Sequence, residues 1–294
     1  MRSGKGVVVL RCCLLALLGT SCIAASIWAW QTTEEDFKQP AKGLDTMVVE
    51  TRNGHITVAG SRDTNEVAVH VIKKARGANA KDTARCLEAI EIQKTVKGNT
   101  MELGWDWATP KKRRWQASVA FEVKLPARLA VAATSHNGKI ELAQTASTAT
   151  LLTHNGAVKA AKLAGDLKAM THNGGIEVKN LRGNLDAKTY NGEIRAGCVA
   201  SKIRAVTHNG AIDVDLSGSK AIDGQLITHN GAITLRLGDQ ASARIACSTQ
   251  HGVVRAERGL DDATARGRTA LVGTVGAGEG SLEVKTSRGS ITIK

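Results

Sequence analysis

Five histidines stand immediately before an Asn-Gly pair at regular spacing, His136, His154, His172, His208 and His229, and Tyr190 takes the remaining place in the series. Imidazole is a common transition-metal ligand and the side chain whose charge changes between pH 5 and 8. A ladder of imidazoles could therefore capture an ion, or charge in concert as pH falls and strain itself by repulsion. Tyr190 breaks the series and no Cys or carboxylate joins it as a further ligand. Those two facts favour rings that pack on their own copies.

A second cluster is the run Lys111, Lys112, Arg113 and Arg114, set between Trp107 and Trp115. Lysine and arginine draw phosphate or carboxylate groups, while indole suits a membrane interface or the face of a sugar. The reading is a basic hairpin tip with aromatic flanks, although a solvated loop is the more frequent fate of such a run. Asp213 and Asp215 alternate with Ile212 and Val214, so both carboxylates should project from one outer strand face. Glycan hydrolysis needs two carboxyls at a defined separation in contrasting environments. An exposed pair lacks the contrast, which favours a solvated acidic patch over a polysaccharide-acting enzyme. G-x-S-x-G, H-E-x-x-H, G-x-x-x-x-G-K and a strand-linked G-x-G-x-x-G are all absent. The chain reads as a non-enzyme, and no cofactor is implied.

The elements that would carry these groups follow from an internal repeat. Asn137-Gly138, Asn155-Gly156, Asn173-Gly174, Asn191-Gly192 and Asn209-Gly210 recur every eighteen residues. Steps of twenty-one then lead to Asn230-Gly231 and a degenerate His251-Gly252, with Arg288-Gly289 as a possible last copy. Each unit holds two short alternating runs. Val158, Ile176, Ile194, Ile212 and Ile233 align as one apolar column, and Leu167, Leu185, Ile203 and Leu226 as another. One unit cannot bury its own apolar face, whereas a stack makes a continuous core. The expected fold is all-β, a parallel β-solenoid with rungs roughly 4.8 Å apart. A run of antiparallel hairpins is the alternative, but repetition of whole columns favours stacking of like on like. Asn-Gly suits the corners because both residues accept positive φ. Cys247 falls in the column of Ala169, Ala187 and Ala205, so packing is its expected role.

Residues 43–134 form an interrupted, β-rich segment before the solenoid repeat at 135–294, with which it is read as continuous. Val48 to Val58 looks like one rung with its turn at Asn53-Gly54, and Glu66 to Ile72 is a second strand. Ala80 to Ile92 shows helical spacing. Met101 to Trp107 and Gln116 to Leu125 read as strands joined through Ala108-Thr109-Pro110-Lys111 and the basic run.

Aromatic residues make up only 3% of the chain, which argues against a globular core built on large rings and for thin layered β-structure. Residues 1–30 carry Arg2, Lys5 and Arg11 and then an uncharged stretch from Cys12 to Trp30. That pattern predicts a signal peptide or a membrane anchor, hence an exported protein in the periplasm, at the cell surface or tethered to the membrane. Cys12, Cys13 and Cys22 lie in this leader, and the remaining Cys86, Cys198 and Cys247 are odd in number and far apart, with no C-x-x-C. The formal charge of +13 stays clearly basic without the leader. Suitable partners are an anionic envelope polymer, a membrane surface or another envelope protein, whereas export makes nucleic acid improbable.

The stretch VVETRNGHITVAG, the helix-containing insertion, the strand SVAFEVKLPARLAV with Pro126, and the repeated THNG-x-I together resemble the bacterial family called putative adhesin, β-strand-repeat envelope proteins of unknown function. The resemblance runs from about residue 43 to the end. It implies an extracytoplasmic or membrane-associated β-solenoid with roles in attachment or envelope stress, and it supplies no catalytic residues.

Overall fold

The structure is a computed structural model that describes residues 30–294. The leader read over residues 1–30 thus lies outside the described residues, apart from Trp30. Among the described residues no helix is long and apolar enough to cross a membrane.

Short runs in which Val, Ile, Leu and Ala alternate with polar residues favour strands with one dry face. The first part of the chain holds β1 (Gln31–Pro40), β2 (Thr46–Thr51), β3 (Ile56–Ser61), β4 (Glu66–Arg76), helix α1 (Ala80–Glu88), β5 (Ile90–Lys97), β6 (Thr100–Trp107) and β7 (Gln116–Pro126). Six regular coils follow as strand pairs: β8 (Ala130–Ser135) with β9 (Ile140–Ala143), β10 (Ala149–Thr153) with β11 (Val158–Leu163), β12 (Leu167–Met170) with β13 (Ile176–Arg182), β14 (Leu185–Lys188) with β15 (Ile194–Val199), β16 (Lys202–Val206) with β17 (Ile212–Leu216), and β18 (Asp223–Asn230) with β19 (Ile233–Leu237). The closing part contains β20 (Ala243–His251), β21 (Val254–Ala256), β22 (Asp261–Arg266), β23 (Ala270–Val275), β24 (Ser281–Arg288) and β25 (Ile291–Ile293).

The first strand of each coil joins a thirteen-stranded sheet and the second a twelve-stranded one, and coil stacks on coil in parallel. This is the solenoid, and the antiparallel hairpin alternative does not occur in the repeat. In the twelve-stranded sheet Phe121, Ile56, Ile140, Val158, Ile176, Ile194, Ile212, Ile233 and Ile291 stand in direct register, all of them buried. Full burial of such a side chain contributes roughly 1.5–3 kcal/mol. One continuous apolar cluster, from Ala41 to Ile293, fills the space between the sheets.

Three details depart from the sequence reading. Leu226 leaves the Leu167, Leu185, Ile203 column and lies over Ala205, because the three extra residues of the longer coil all fall in the bend after Leu216 and the register advances by twenty-one. Gly224 takes the vacated place over Ile203, at a φ of +151°, where a Cβ would sit 1.7 Å from the Ile203 carbonyl oxygen. Helix α1 ends at Glu88 and Ile90 already belongs to β5, paired with Trp107.

The third departure is the order of the stack. β24 lies between β18 and β20, and β25 between β19 and β21, so the Arg288-Gly289 coil is inserted ahead of the His251-Gly252 coil. Burial explains the exchange. Leu282, Val284, Ile291 and Ile293 are covered on both sides, whereas β22 is exposed along its whole length and can only be an edge. The amino-terminal end behaves alike: β6 and β7 form a coil outside that of β2 and β3, and β8 and β9 return to its other side. Antiparallel strands close both ends, β4 and β1 beside β7, β5 beside β6, and β23 then β22 beside β20.

Candidate functional site

The repeated Thr-His-Asn-Gly corner is explained residue by residue. None of the pairs at 137–138, 155–156, 173–174, 191–192, 209–210 or 230–231 adopts positive φ, so the expected left-handed turn is corrected. Glycine is required for close approach instead. A Cβ on Gly156, Gly174, Gly192, Gly210 or Gly231 would lie 1.9–2.1 Å from the carbonyl oxygen of the equivalent glycine one coil earlier. That same oxygen accepts a hydrogen bond from the buried threonine of the next coil, as from Thr171 Oγ1 to Gly156 at 2.8 Å and Thr207 Oγ1 to Gly192 at 2.9 Å. The asparagines form a ladder in which each Nδ2 donates to the preceding Oδ1, from Asn137 on Asn53 through to Asn230 on Asn209, at 2.7–2.8 Å.

His136, His154, His172, Tyr190, His208 and His229 stack face to face, with ring centroids 4.7–5.0 Å apart and planes within 9° of parallel. An imidazole binds a metal through an in-plane lone pair. Parallel rings send those lone pairs along parallel lines, so the stack does not converge on one point. No group of three or more His, Cys, Asp or Glu placed to hold an ion occurs among the described residues.

The basic run is not a hairpin tip, because β6 and β7 belong to different sheets and the segment between them crosses from one to the other. Lys111, Lys112, Arg113 and Arg114 are exposed, but Trp115 is buried. Trp115 works as an anchor under the loop: its Nε1 donates to Asp82 at 3.0 Å, Lys112 lies over its ring at 5.1 Å, and Lys112 also pairs with Asp82 at 3.7 Å. The backbone N–H of Ala78, the indole N–H of Trp115 and the Lys112 ammonium hold the Asp82 carboxyl below its usual range. Trp107 packs against Trp115 with centroids 5.7 Å apart, so the loop and the end of β6 share one aromatic base.

Asp213 and Asp215 have neighbours of their own. Asp213 pairs with Arg236, and Asp215 accepts from the backbone and hydroxyl of Ser217. Those hydrogen bonds lower the Asp215 pKa, the opposite of what a general acid requires. Cys86, Cys198 and Cys247 are free and buried, and burial pushes the thiols of Cys198 and Cys247 up to about 12. Cys247 lies in the predicted column, although Leu226 and Val284 stand between it and Ala205.

The concavity that joins these features is a groove of about 990 Å³ at the amino-terminal end of the ladder. Gly104–Trp107 and Gln93 line one part of it, and the corners of three successive coils, Glu50–Asn53, Thr134–Asn137 and Leu152–His154, line the rest. β6 faces β2 at a constant offset of 54 residues, which puts Trp105 opposite Thr51, and its indole Nε1 donates to the Thr51 hydroxyl at 3.2 Å. Trp105 and Trp107 meet edge to face, 5.4 Å apart at 75°. Sequence reasoning paired Trp107 with Trp115 and missed Trp105. The readable signal was alternation, since Met101, Leu103, Trp105 and Trp107 share one parity and the last two run past the dry interior.

The family described as Toastrack DUF4097 matches residues 38–294. No curated protein matches the chain. Solved structures similar to it include a putative adhesin from Bacteroides fragilis (13% identity, 90% of this chain and 97% of that one, TM-score 0.41). Others are a putative lipid binding protein from Parabacteroides distasonis (13%, 89% and 96%, 0.44) and a putative cell adhesion protein from Clostridium sporogenes (16%, 90% and 99%, 0.27).

Proposed function

The chain belongs to the Toastrack DUF4097 family, and on that premise we propose that it is a non-enzymatic binding scaffold of the bacterial envelope that docks on an anionic polymer or membrane surface. The observation that carries this reading is the exposed cationic loop Lys111–Arg114, set on the buried Trp115 and the partly buried Asp82 at one end of the stack. A loop shaped from beneath presents its charges with less ordering cost on binding than a free tail. The basic net charge supports the same polarity of partner, and the leader at residues 1–30 supports export to the periplasm or cell surface. The ion-paired Asp213 and the lowered pKa of Asp215 support a role other than glycan cleavage.

The test is retention of the full chain on isolated envelope material across a salt series. Screening shortens from about 8 Å at physiological salt to about 3 Å at 1 M, so retention should fall steeply as salt rises. Replacing Lys111, Arg113 and Arg114 by Gln, while leaving Lys112 on Asp82, should reduce it further. Failure to bind at any salt concentration would remove the proposal.

A further inference from the structure

We propose that the groove beside Trp105 and Trp107 is a glycan subsite that seats an uncharged pyranose ring. The inference rests on the binding-scaffold reading and names a ligand class for the end of the stack. The indole N–H of Trp105 is already spent on Thr51, so what this residue offers to a ligand is ring surface and not a donor. Trp107 stands nearly perpendicular to it. Two aromatic planes at that angle suit a ring that is apolar on its faces and polar at its rim, the character of a pyranose, whose axial C–H groups pack on π-surface while its hydroxyls point outward.

The remaining lining matches the rim. Glu50, Gln93 and Asp106 are exposed, planar carboxylates or amides that can accept from or donate to vicinal hydroxyls. Glu50 and Asp106 outnumber Arg52 among the charged residues that line the groove, which disfavours an anionic sugar there, and the cations of the 111–114 loop do not line it. A lipid surface fits less well, because a membrane-inserting tip is convex and apolar whereas this feature is a concavity with mostly polar walls. The place in the fold agrees. In the regular coils the edge is consumed by its own ladder, but in the β6 coil Trp105-Asp106-Trp107 replaces the repeating corner, and the next strand, β5, has no Asn-Gly and sets Gln93 opposite Gly104, beside that corner.

The experiment titrates the full chain, by calorimetry and by tryptophan fluorescence, with soluble neutral tetrasaccharides: chitotetraose, cellotetraose, maltotetraose and mannotetraose. At least one should bind with a Kd that is insensitive to salt. Trp107→Ala should weaken that binding by about tenfold or more, in line with losing one aromatic contact at a binding hot spot. Gln93→Ala, an exposed change that leaves the core intact, should weaken it severalfold. The triple change of Lys111, Arg113 and Arg114 to Gln should leave it unchanged. Absence of binding to every tetrasaccharide overturns the inference, as does binding that survives Trp107→Ala and Gln93→Ala or that depends on salt and the basic loop. Salt-sensitive envelope retention without tetrasaccharide binding would sink this inference alone. Tetrasaccharide binding without such retention would sink the electrostatic docking proposal alone.

Discussion

The regular coils and the ends of the stack are built on opposite terms. Between Asn137 and Asn230 each corner meets a copy of itself, so threonine hydroxyls reach the glycine carbonyl one coil earlier, while asparagine amides and aromatic rings meet amides and rings. At the ends, chain order and stack order part company. Unlike residues meet there, and strands such as β1 and β22 are left as edges. Those edges carry Glu34, Glu35 and Asp36, or Asp261, Asp262 and Arg266, charges that discourage pairing with another chain. Repetition yields stability and leaves little over for a ligand, while the interrupted end holds the cationic loop and the aromatic groove.

The comparison breaks most visibly at glycine. Gly192 and Gly197 lie in the same coil, yet a Cβ on Gly192 would meet the Gly174 carbonyl oxygen at 1.9 Å and one on Gly197 would meet nothing within 4 Å. Gly192→Ala should cost about 3 kcal/mol or more, because the obstructing atom is backbone locked in a ladder. Gly197→Ala should be neutral or stabilise by about 0.5 kcal/mol through the unfolded chain. Urea unfolding of the two variants measures the difference. Equal effects would mean that close approach is not what the repeated glycine provides.

The buried thiols sharpen the same contrast through pH. Cys198 and Cys247 are raised by burial to about 12 from an ordinary 9.0. A raised folded value stabilises below the unfolded value, so this contribution is lost as pH climbs from about 9 towards about 12, where only the unfolded chain ionises freely. The loss should reach about 1 kcal/mol per thiol by pH 10. Cys198→Ala and Cys247→Ala should flatten the alkaline limb of a stability profile. An unchanged slope would place both thiols in contact with water.

How much of this was legible in the sequence follows the same division. The eighteen-residue spacing located the coils, the apolar columns and the histidine stack, because where like packs on like the period is itself the contact map. The reason for Asn-Gly was not legible, since a turn residue and a close-approach residue look identical until the neighbouring carbonyl is placed. Leu226 was misaligned because three inserted residues can sit at any bend, and only the packing of Gly224 on Ile203 fixes which. The insertion of the Arg288 coil ahead of the His251 coil was hidden because order along the chain is the natural reading of a repeat. Among the proposed site residues, Trp115 carried no sign that it anchors the loop from beneath, as its partner Asp82 is thirty-three residues away.

That anchor offers the smallest of the expected effects and the most local test of the irregular end. The depressed pKa of Asp82 means that the folded protein gains stability from its charge at pH values above the ordinary 3.8, and that the gain disappears as pH falls through the lower folded value. Asp82→Asn keeps one oxygen, able to accept from Trp115 on the Oδ1 side or from Ala78 on the Oδ2 side but not from both, and removes the charge facing Lys112. The acid limb of thermal unfolding between pH 5 and pH 2 should therefore be shallower in the variant than in the parent chain, starting from a stability at pH 7 that is lowered by the one hydrogen bond lost and the weaker one kept. Asp215→Asn, made in a regular coil where Ser217 and Arg236 supply the shift, is the matched control. Acid limbs that coincide for parent and Asp82→Asn would show that Trp115 is held by packing alone, leaving the basic loop without the electrostatic support from beneath on which its shape is argued to depend.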